Sequence, residues 1–418
     1  MQKHLRTVLA LMILFIWCSN VEATQREDKR SHELETITVT AQKREENPDK
    51  VPISMDVFSD VDVEDSMMSN SLELTRFSPN LFMKENFLEN VIIIRGMSSF
   101  SHSLNTPAAY YVNGVGYALQ YMHDNELFDI ERIEVLKGPQ GTLYGRNSES
   151  GVINIITKQP DNEFRAKILG EYGNYNSYRG NASISGPVIQ DKLYLGAALQ
   201  YKASDGYMEN LHYNDDKAAQ LRHFNGRATL RWTPSQPWDI SLIADALNSD
   251  DKLGVFRYAK GPLATDAHKI RHDEISNDYS EDGNSQVLKI NYATEYFNIT
   301  SVTGRAYRTY TKLTDSDCYD NPASKFNNRF RYGDTQYTQE LRISSVKKGP
   351  LQWLGGLFGL YEDTDIDHKG MNASRGLVSS RHTCDIETRG YAAFGQATYT
   401  LLDKLHFTVG LRLDNQNM

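Results

Sequence analysis

The sequence predicts a small mixed α/β domain followed by an antiparallel transmembrane β-barrel, of which about the first half is present. Three observations carry this. The run from Ile130 to Pro160, IERIEVLKGPQGTLYGRNSESGVINIITKQP, sets two apolar, alternating strands around a loop holding Gly138, Gly141, Gly145 and Gly151. From Phe164 onward the hydropathy pattern takes a period of two. The chain also opens with an export signal.

That signal spans 1–23. Lys3 and Arg6 are positive, and Val8 to Trp17 is an apolar run free of charge. The run is far shorter than the roughly 20 residues a spanning helix needs. Val21-Glu22-Ala23 is a small-x-small site, which places cleavage after Ala23. A lipoprotein signal using Cys18 is the competing layout, but Trp17 stands where it needs a small residue.

Mean hydropathy is −0.55, yet aromatic residues reach 11%, with 24 Tyr. A barrel wall has this composition, because its apolar residues take only alternate positions and its girdles are aromatic. A soluble secreted β-protein shares it, so patterning has to decide. The net charge of −9 argues against a nucleic-acid partner. Of 3 Cys, one lies in the signal. Export favours a disulfide between the other two, Cys318 and Cys384, with two free thiols as the alternative.

After the signal, 24–34 (TQREDKRSHEL) is strongly charged and expected to be disordered. Glu35-Thr36-Ile37-Thr38-Val39-Thr40-Ala41 is rich in β-branched residues and favours an extended chain. On a flexible tether (24–41), such a segment can add as a strand to a partner sheet. The compact domain covers 42–160. Strands are expected at 51–57, 91–96, 109–115, 129–136 and 151–157, with a helix inside 60–77. A phosphate-loop reading of 137–145 fails, since no Gly-Lys-Ser/Thr closes the loop. Those glycines instead allow positive φ in tight connections.

The barrel part covers 161–418. Phe224, Gly226, Ala228, Leu230 and Trp232 alternate with Asn225, Arg227, Thr229 and Arg231. Leu405, Phe407, Val409, Leu411 and Leu413 do the same near the end. One face suits lipid and the other a wet lumen. Short turns at 186–192, 233–237 and 347–350 alternate with long polar loops at 205–221, 247–286, 309–335 and 362–388. The count is 11 strands, half of the roughly 22 of a plugged transporter, so an incomplete or truncated receptor is expected.

In order along the chain stand the Ile-Arg-Gly strand (Ile94-Arg95-Gly96), the Tyr-Val-Asn-Gly-Val strand (Tyr111 to Val115) and the run Glu131 to Gly145. Together they resemble the plug of TonB-dependent outer-membrane receptors. The segment Glu35–Ala41 resembles the TonB box of that family. Arg95 to Ser99, Thr106-Pro107-Ala108 and Gln236-Pro237-Trp238 resemble the siderophore receptors of the yersiniabactin–pesticin branch. The resemblance implies a Gram-negative outer membrane, a ferric siderophore as cargo, and the TonB protein of the TonB-ExbB-ExbD complex as partner. It implies no cofactor. Haem, cobalamin or an oligosaccharide is the alternative cargo, and a surface docking receptor without transport is the alternative role.

Candidate cargo contacts are Phe100, Ser101, His102, Tyr117, Tyr121, Met122 and His123. Aromatic and polar groups there suit a planar chelate or a sugar, although Tyr and His in a plug are more often packing residues. Arg95, Gly96, Gly138, Gly141 and Gly145 are expected to be structural, with Arg95 a partner for carboxylates of the barrel wall. The sequence contains no Gly-x-Ser-x-Gly elbow, His-Glu-x-x-His or Cys-x-x-Cys, so an enzyme is not expected.

Overall fold

The computed structural model describes residues 38–418, apart from 41, 45, 49–50, 86–89, 100–104, 124–125, 253–255, 274–277, 321–324, 347–348 and 403. The signal, the charged tether, Glu35 to Ile37, Ala41 and Phe100 to His102 therefore lie outside the described residues.

The first part contains strands β1 (Ser54–Ser59), β2 (Leu81–Glu85), β3 (Asn90–Ile94), β4 (Ala108–Val112), β5 (Val115–Tyr117), β6 (Ile130–Lys137) and β7 (Gly151–Thr157). Five of them form a sheet of order β1-β6-β7-β4-β5, with β4 and β7 parallel. β2 and β3 form a separate hairpin. The helix Asp60–Asp65 starts at Ser59, whose hydroxyl accepts from the Asp62 N–H while the Asp62 carboxylate accepts from Ser59 N–H. This reciprocal cap satisfies donors the first helical turn leaves open. Ile94, Ile133, Val135 and Ile153 are fully buried in the core, which also takes in Ala306 and Tyr310 from the second part.

The second part is a wall. Its strands are β8 (Arg165–Gly173), β9 (Ser177–Ile189), β10 (Leu193–Ser204), β12 (Leu221–Trp232), β13 (Trp238–Lys252), β15 (Asp278–Ala293), β16 (Phe297–Asp315), β17 (Phe326–Ser345), β18 (Leu351–Asn372), β19 (Leu377–Leu401) and β20 (Leu405–Asn417). Each pairs antiparallel with its neighbours in one 11-stranded sheet. β8 and β20 form its two edges, so the barrel is not closed. The short strands β11 (Glu209–Asn210) and β14 (Lys269–Ile270) link two of the long connections.

The period of two is realised as sidedness. On β20, Leu405, Phe407, Val409, Leu411 and Leu413 are 51–74% exposed on the outer face. On β16, Ala306, Arg308, Tyr310, Lys312 and Thr314 point inward and are at most 6% exposed. Outward Trp353 and Tyr361 stand eight residues apart on β18, about 26 Å along the strand. That matches the roughly 25 Å apolar band between aromatic girdles.

Two expected loops are corrected. Most of 309–335 and 362–388 is strand, because β16 to β19 continue and leave connections of only 316–325 and 373–376. β19 alone has 25 residues and spans about 80 Å, well beyond any bilayer. Backbone pairing continues there through polar positions such as Glu362–Thr388 and Asp367–Thr383. Period-two patterning with polar residues on both faces hides such strands from a hydropathy reading.

Gly304 on β16 packs closely against Val115 of β5. A Cβ there runs into Val115 and sits 2.7 Å from Thr338 Oγ1. Gly304→Val is expected to destabilise the seated inner domain by about 1–3 kcal/mol. Gly359→Ala, which has open space around its Cβ, leaves thermal melting unchanged; equal melting for both variants refutes the close contact.

Candidate coupling and cargo sites

The described part of the coupling segment is docked inward. Val39 is 0% exposed. Its N–H donates to Glu46 O at 2.8 Å, and the Glu46 N–H returns to Val39 O at 2.9 Å. The N–H of Thr40 donates to Glu134 Oε1 at 2.7 Å, and its hydroxyl donates to the same oxygen at 3.1 Å. Glu134 is itself fully buried and also accepts from Arg132 Nε at 2.9 Å and Asn154 Nδ2 at 3.2 Å. Its charge is therefore satisfied by donors from three directions, as a buried carboxylate requires. Thr38 is exposed.

Three residues on, Lys43 joins this segment to the wall. Its Nζ lies 2.8 Å from Glu340 Oε2 on β17 and 4.8 Å from the centroid of the Tyr144 ring. Burial lowers the Lys43 pKa to about 8, although the Glu340 carboxylate opposes that shift. Burial likewise raises the Tyr111 and Tyr144 phenols.

Further polar contacts cross between the inner domain and the wall. Arg146 Nη2 meets Glu362 Oε2 on β18 at 2.7 Å. Arg308 on β16 donates to Met122 O at 2.9 Å. Gln336 on β17 donates to Gly116 O at 2.7 Å. Lys202 on β10 and His223 on β12 hold Glu126 at 3.0 and 2.9 Å. Burial works against the Glu126 charge, but His223 and Lys202 together keep its carboxyl below the ordinary range.

The candidate cargo residues are placed as follows. Tyr117, Met122 and His123 are 8%, 0% and 0% exposed, inside the core. None of the three presents a surface to cargo in this conformation. The His123 ring stacks on Tyr110 with centroids 5.2 Å apart, and its Nε2 donates to Tyr117 O at 3.0 Å. Tyr121 lies in the 3₁₀ turn Gln120–His123.

Among the structural residues, Gly96, Gly138 and Gly145 have φ of +80°, +111° and +77°. At Gly145 a Cβ falls 2.6 Å from Arg412 Nη2, so both conformation and space call for glycine. Gly141 instead begins the short helix Gly141–Tyr144. The expectation for Arg95 is corrected. It is exposed, has φ +52°, and forms no ion pair among the described residues. Its left-handed backbone turns the side chain over Gly138, and Lys43 and Arg146 meet the wall carboxylates instead.

The expected disulfide is also corrected: Cys318 and Cys384 are both free. Across the wall, Cys384 on β19 faces Ile366, then Tyr332, then Tyr310 on β16. Three such steps cover about 14 Å, against the 4.4–6.8 Å between Cα atoms that a disulfide needs. Cys318 lies beyond the end of β16, farther still.

Burial lowers the His123 pKa to about 4 from an ordinary 6.5, with the Arg308 charge adding to the effect. Between those values the unfolded chain takes up a proton that the folded one refuses. Stability from this site is thus full above pH 6.5 and falls as pH drops toward 4, by up to about 3 kcal/mol. Melting temperatures measured across that range are expected to fall for the unaltered chain and to fall less for His123→Gln. Parallel curves refute the assignment.

Residues 47–152 match the TonB-dependent Receptor Plug Domain, and residues 241–418 match the TonB-dependent receptor-like β-barrel. The pesticin receptor of Yersinia enterocolitica is 27% identical over 414 residues, covering 95% of this chain and 57% of that protein. The ferripyoverdine receptor of Pseudomonas aeruginosa is 29% identical over 200 residues, covering 47% of this chain and 24% of that protein. The crystal structure of the ferric yersiniabactin uptake receptor of Yersinia pestis superposes with a TM-score of 0.77 at 25% identity, covering 87% of this chain and 56% of that one. The chain thus spans somewhat over half the length of the relatives it matches most fully. Two matched domains in the family's order, a plug seated against an antiparallel wall, and these relatives together place the chain in the TonB-dependent receptor family.

Proposed function

We propose that this chain supplies the plug and the leading part of the wall of an outer-membrane importer that takes up a ferric siderophore under the pull of TonB. The observation that carries this reading is the stowed coupling segment. Val39 and Thr40 are held against the plug by two ladder bonds and the buried Glu134, and Lys43 ties the same stretch to Glu340 of the wall. The N–H and C=O of Val39 that now pair with Glu46 are the groups a partner strand needs, so stowing and strand addition exclude each other. Cargo at the outer face shifts this equilibrium toward release. TonB then pairs with 35–41 and pulls. The siderophore class rests on the pesticin, yersiniabactin and pyoverdine receptors among the relatives. Phe100, Ser101, His102 and Tyr121 are the proposed cargo contacts; Tyr117, Met122 and His123 are buried in the plug. The plug does no bond-making chemistry and needs no cofactor.

The test is energy-dependent uptake of iron-labelled siderophores by receptor-deficient cells producing the receptor that contains this chain. Uptake is expected to require TonB and to be lost with Val39→Pro, which removes a ladder donor. Uptake that persists in cells lacking TonB rejects the reading. Binding without any uptake points to a docking receptor instead.

Stowing has its own test. Glu340→Gln leaves the buried Lys43 ammonium without its carboxylate, expected to weaken docking by about 3–5 kcal/mol. A cysteine placed at exposed Thr38 should then carry a spin label of clearly greater mobility than in the unaltered background. Unchanged mobility means that Lys43 does not hold the segment.

A further inference from the structure

Three carboxylates from two separate connections of the wall converge at the end opposite the short turns. Asp273 follows β14, Asp315 ends β16 and Asp317 lies just after it. Each offers an oxygen, and these lie within 4.8 Å of one another. Asp273 and Asp315 are only 3% and 2% exposed. The Lys325 ammonium stands 3.3 Å from Asp273 Oδ2, a single positive charge against the group.

The decisive feature is hydrogen-bond accounting. Asp273 Oδ1 and Asp317 Oδ2 are enclosed, and no donor among the described residues reaches either. Donors are close at hand but serve other atoms. The Tyr213 hydroxyl donates to Asp273 O at 2.5 Å, and the Tyr258 hydroxyl to Asp317 O at 3.1 Å. A buried carboxylate oxygen without a donor is strongly unfavourable unless a cation faces it.

We propose that Asp273, Asp315 and Asp317 bind a hard divalent cation of the calcium class. Oxygens bound to one calcium at 2.3–2.6 Å stand no more than roughly 5.2 Å apart, and the oxygens of this group all lie within 4.8 Å of one another. Softer metals are disfavoured by what the neighbours already do. His272 Nε2 donates to Phe256 O at 2.7 Å, and the Cys318 thiol points at Asp315 O at 3.7 Å. The donor set offered is therefore oxygen.

Such an ion adds to the contacts that already join these long connections. Asn210 Nδ2 donates to His272 O at 2.9 Å, and Arg271 meets Asp320 at 3.2 Å. The ion fastens the connection after β13 to the end of β16, making the outer rim rigid whatever the cargo. The inference stands apart from the transport reading, since it concerns the rim alone.

Terbium in place of calcium tests it, because Tyr258 and Tyr213 lie close enough to sensitise terbium emission. The full chain in detergent micelles, stripped with chelator, is titrated with terbium and then with calcium or magnesium. Saturable tyrosine-excited emission is expected, displaced by calcium at lower concentration than by magnesium. Asp317→Asn and Asp273→Asn should each weaken binding about tenfold or more, while Asp239→Asn, beside Arg231 at the short-turn end, should not. Unchanged titrations for Asp317→Asn and Asp273→Asn overturn the proposal. A second measurement needs no variant: calcium should slow proteolysis of the connection after β13 in the unaltered chain, and equal cleavage with calcium and with chelator also overturns it.

Discussion

Between plug and wall, charged side chains of one part meet partners on the other, and the seating of the plug depends on these pairs. A barrel lumen is polar because its outer face must be apolar, so a plug seated there meets charged side chains, and an unanswered one is prohibitively costly. Arg146 finds Glu362, Lys43 finds Glu340, Glu126 finds Lys202 and His223, and Arg308 caps the carbonyl of Met122. Such pairs add little net stability over full hydration, but each is expensive to half-break. The result is a seat specific in register and yet releasable once water enters. The apolar part of the contact falls in three clusters, Ala306 and Tyr310 joining one, Leu354 and Phe394 a second, and Ile243, Val287 and Val302 meeting Val115 in a third.

The coupling segment follows the same logic on its backbone. Val39 is buried because its side chain joins the cluster of Val51, Leu136 and Val152, and its ladder groups are met by Glu46. The contact is one isolated bridge and not a strand within a sheet. A single bridge with a few side-chain bonds is easily exchanged for a longer strand pairing elsewhere. Thr40 and Glu134 make it more than incidental, since freeing Thr40 removes two donors from a fully buried carboxylate.

Much of this was legible in the sequence. The five-stranded inner sheet and the 11-stranded wall lie where alternation and glycine turns place them, because both signals are local. Gly138 and Gly145 do have the positive φ expected of them. The pairings that seat the plug were not legible. Lys43 and Glu340 are 297 positions apart and Arg146 and Glu362 216 apart, so no local pattern joins them. Arg95 was expected in such a role, but one left-handed residue sends it outward. Glu134 left little trace, since its strand also carries Glu131, Arg132 and Lys137. His123 left none, for a histidine stacked in a core and one facing cargo read alike.

The order of the inner sheet determines how a pull at its N-terminal side is borne. β1 is both the first strand in the chain and the edge strand of the order β1-β6-β7-β4-β5. Force arriving through residues 38–40 first breaks the bridge to Glu46 and the bonds to Glu134, then loads β1 against β6 over the six pairs from Ser54–Lys137 to Ser59–Arg132. β6, β7, β4 and β5 need not part for β1 to leave. The wall has no comparable weak edge along its middle, where β15 to β19 are zipped through ladders of 15 to 22 pairs with one register shift, at Gly370–Met371. Under tension the plug yields from its coupling end while the wall keeps its shape, and the space vacated lies next to β1 and β6. Under the proposed function, that is the side on which cargo passage opens first.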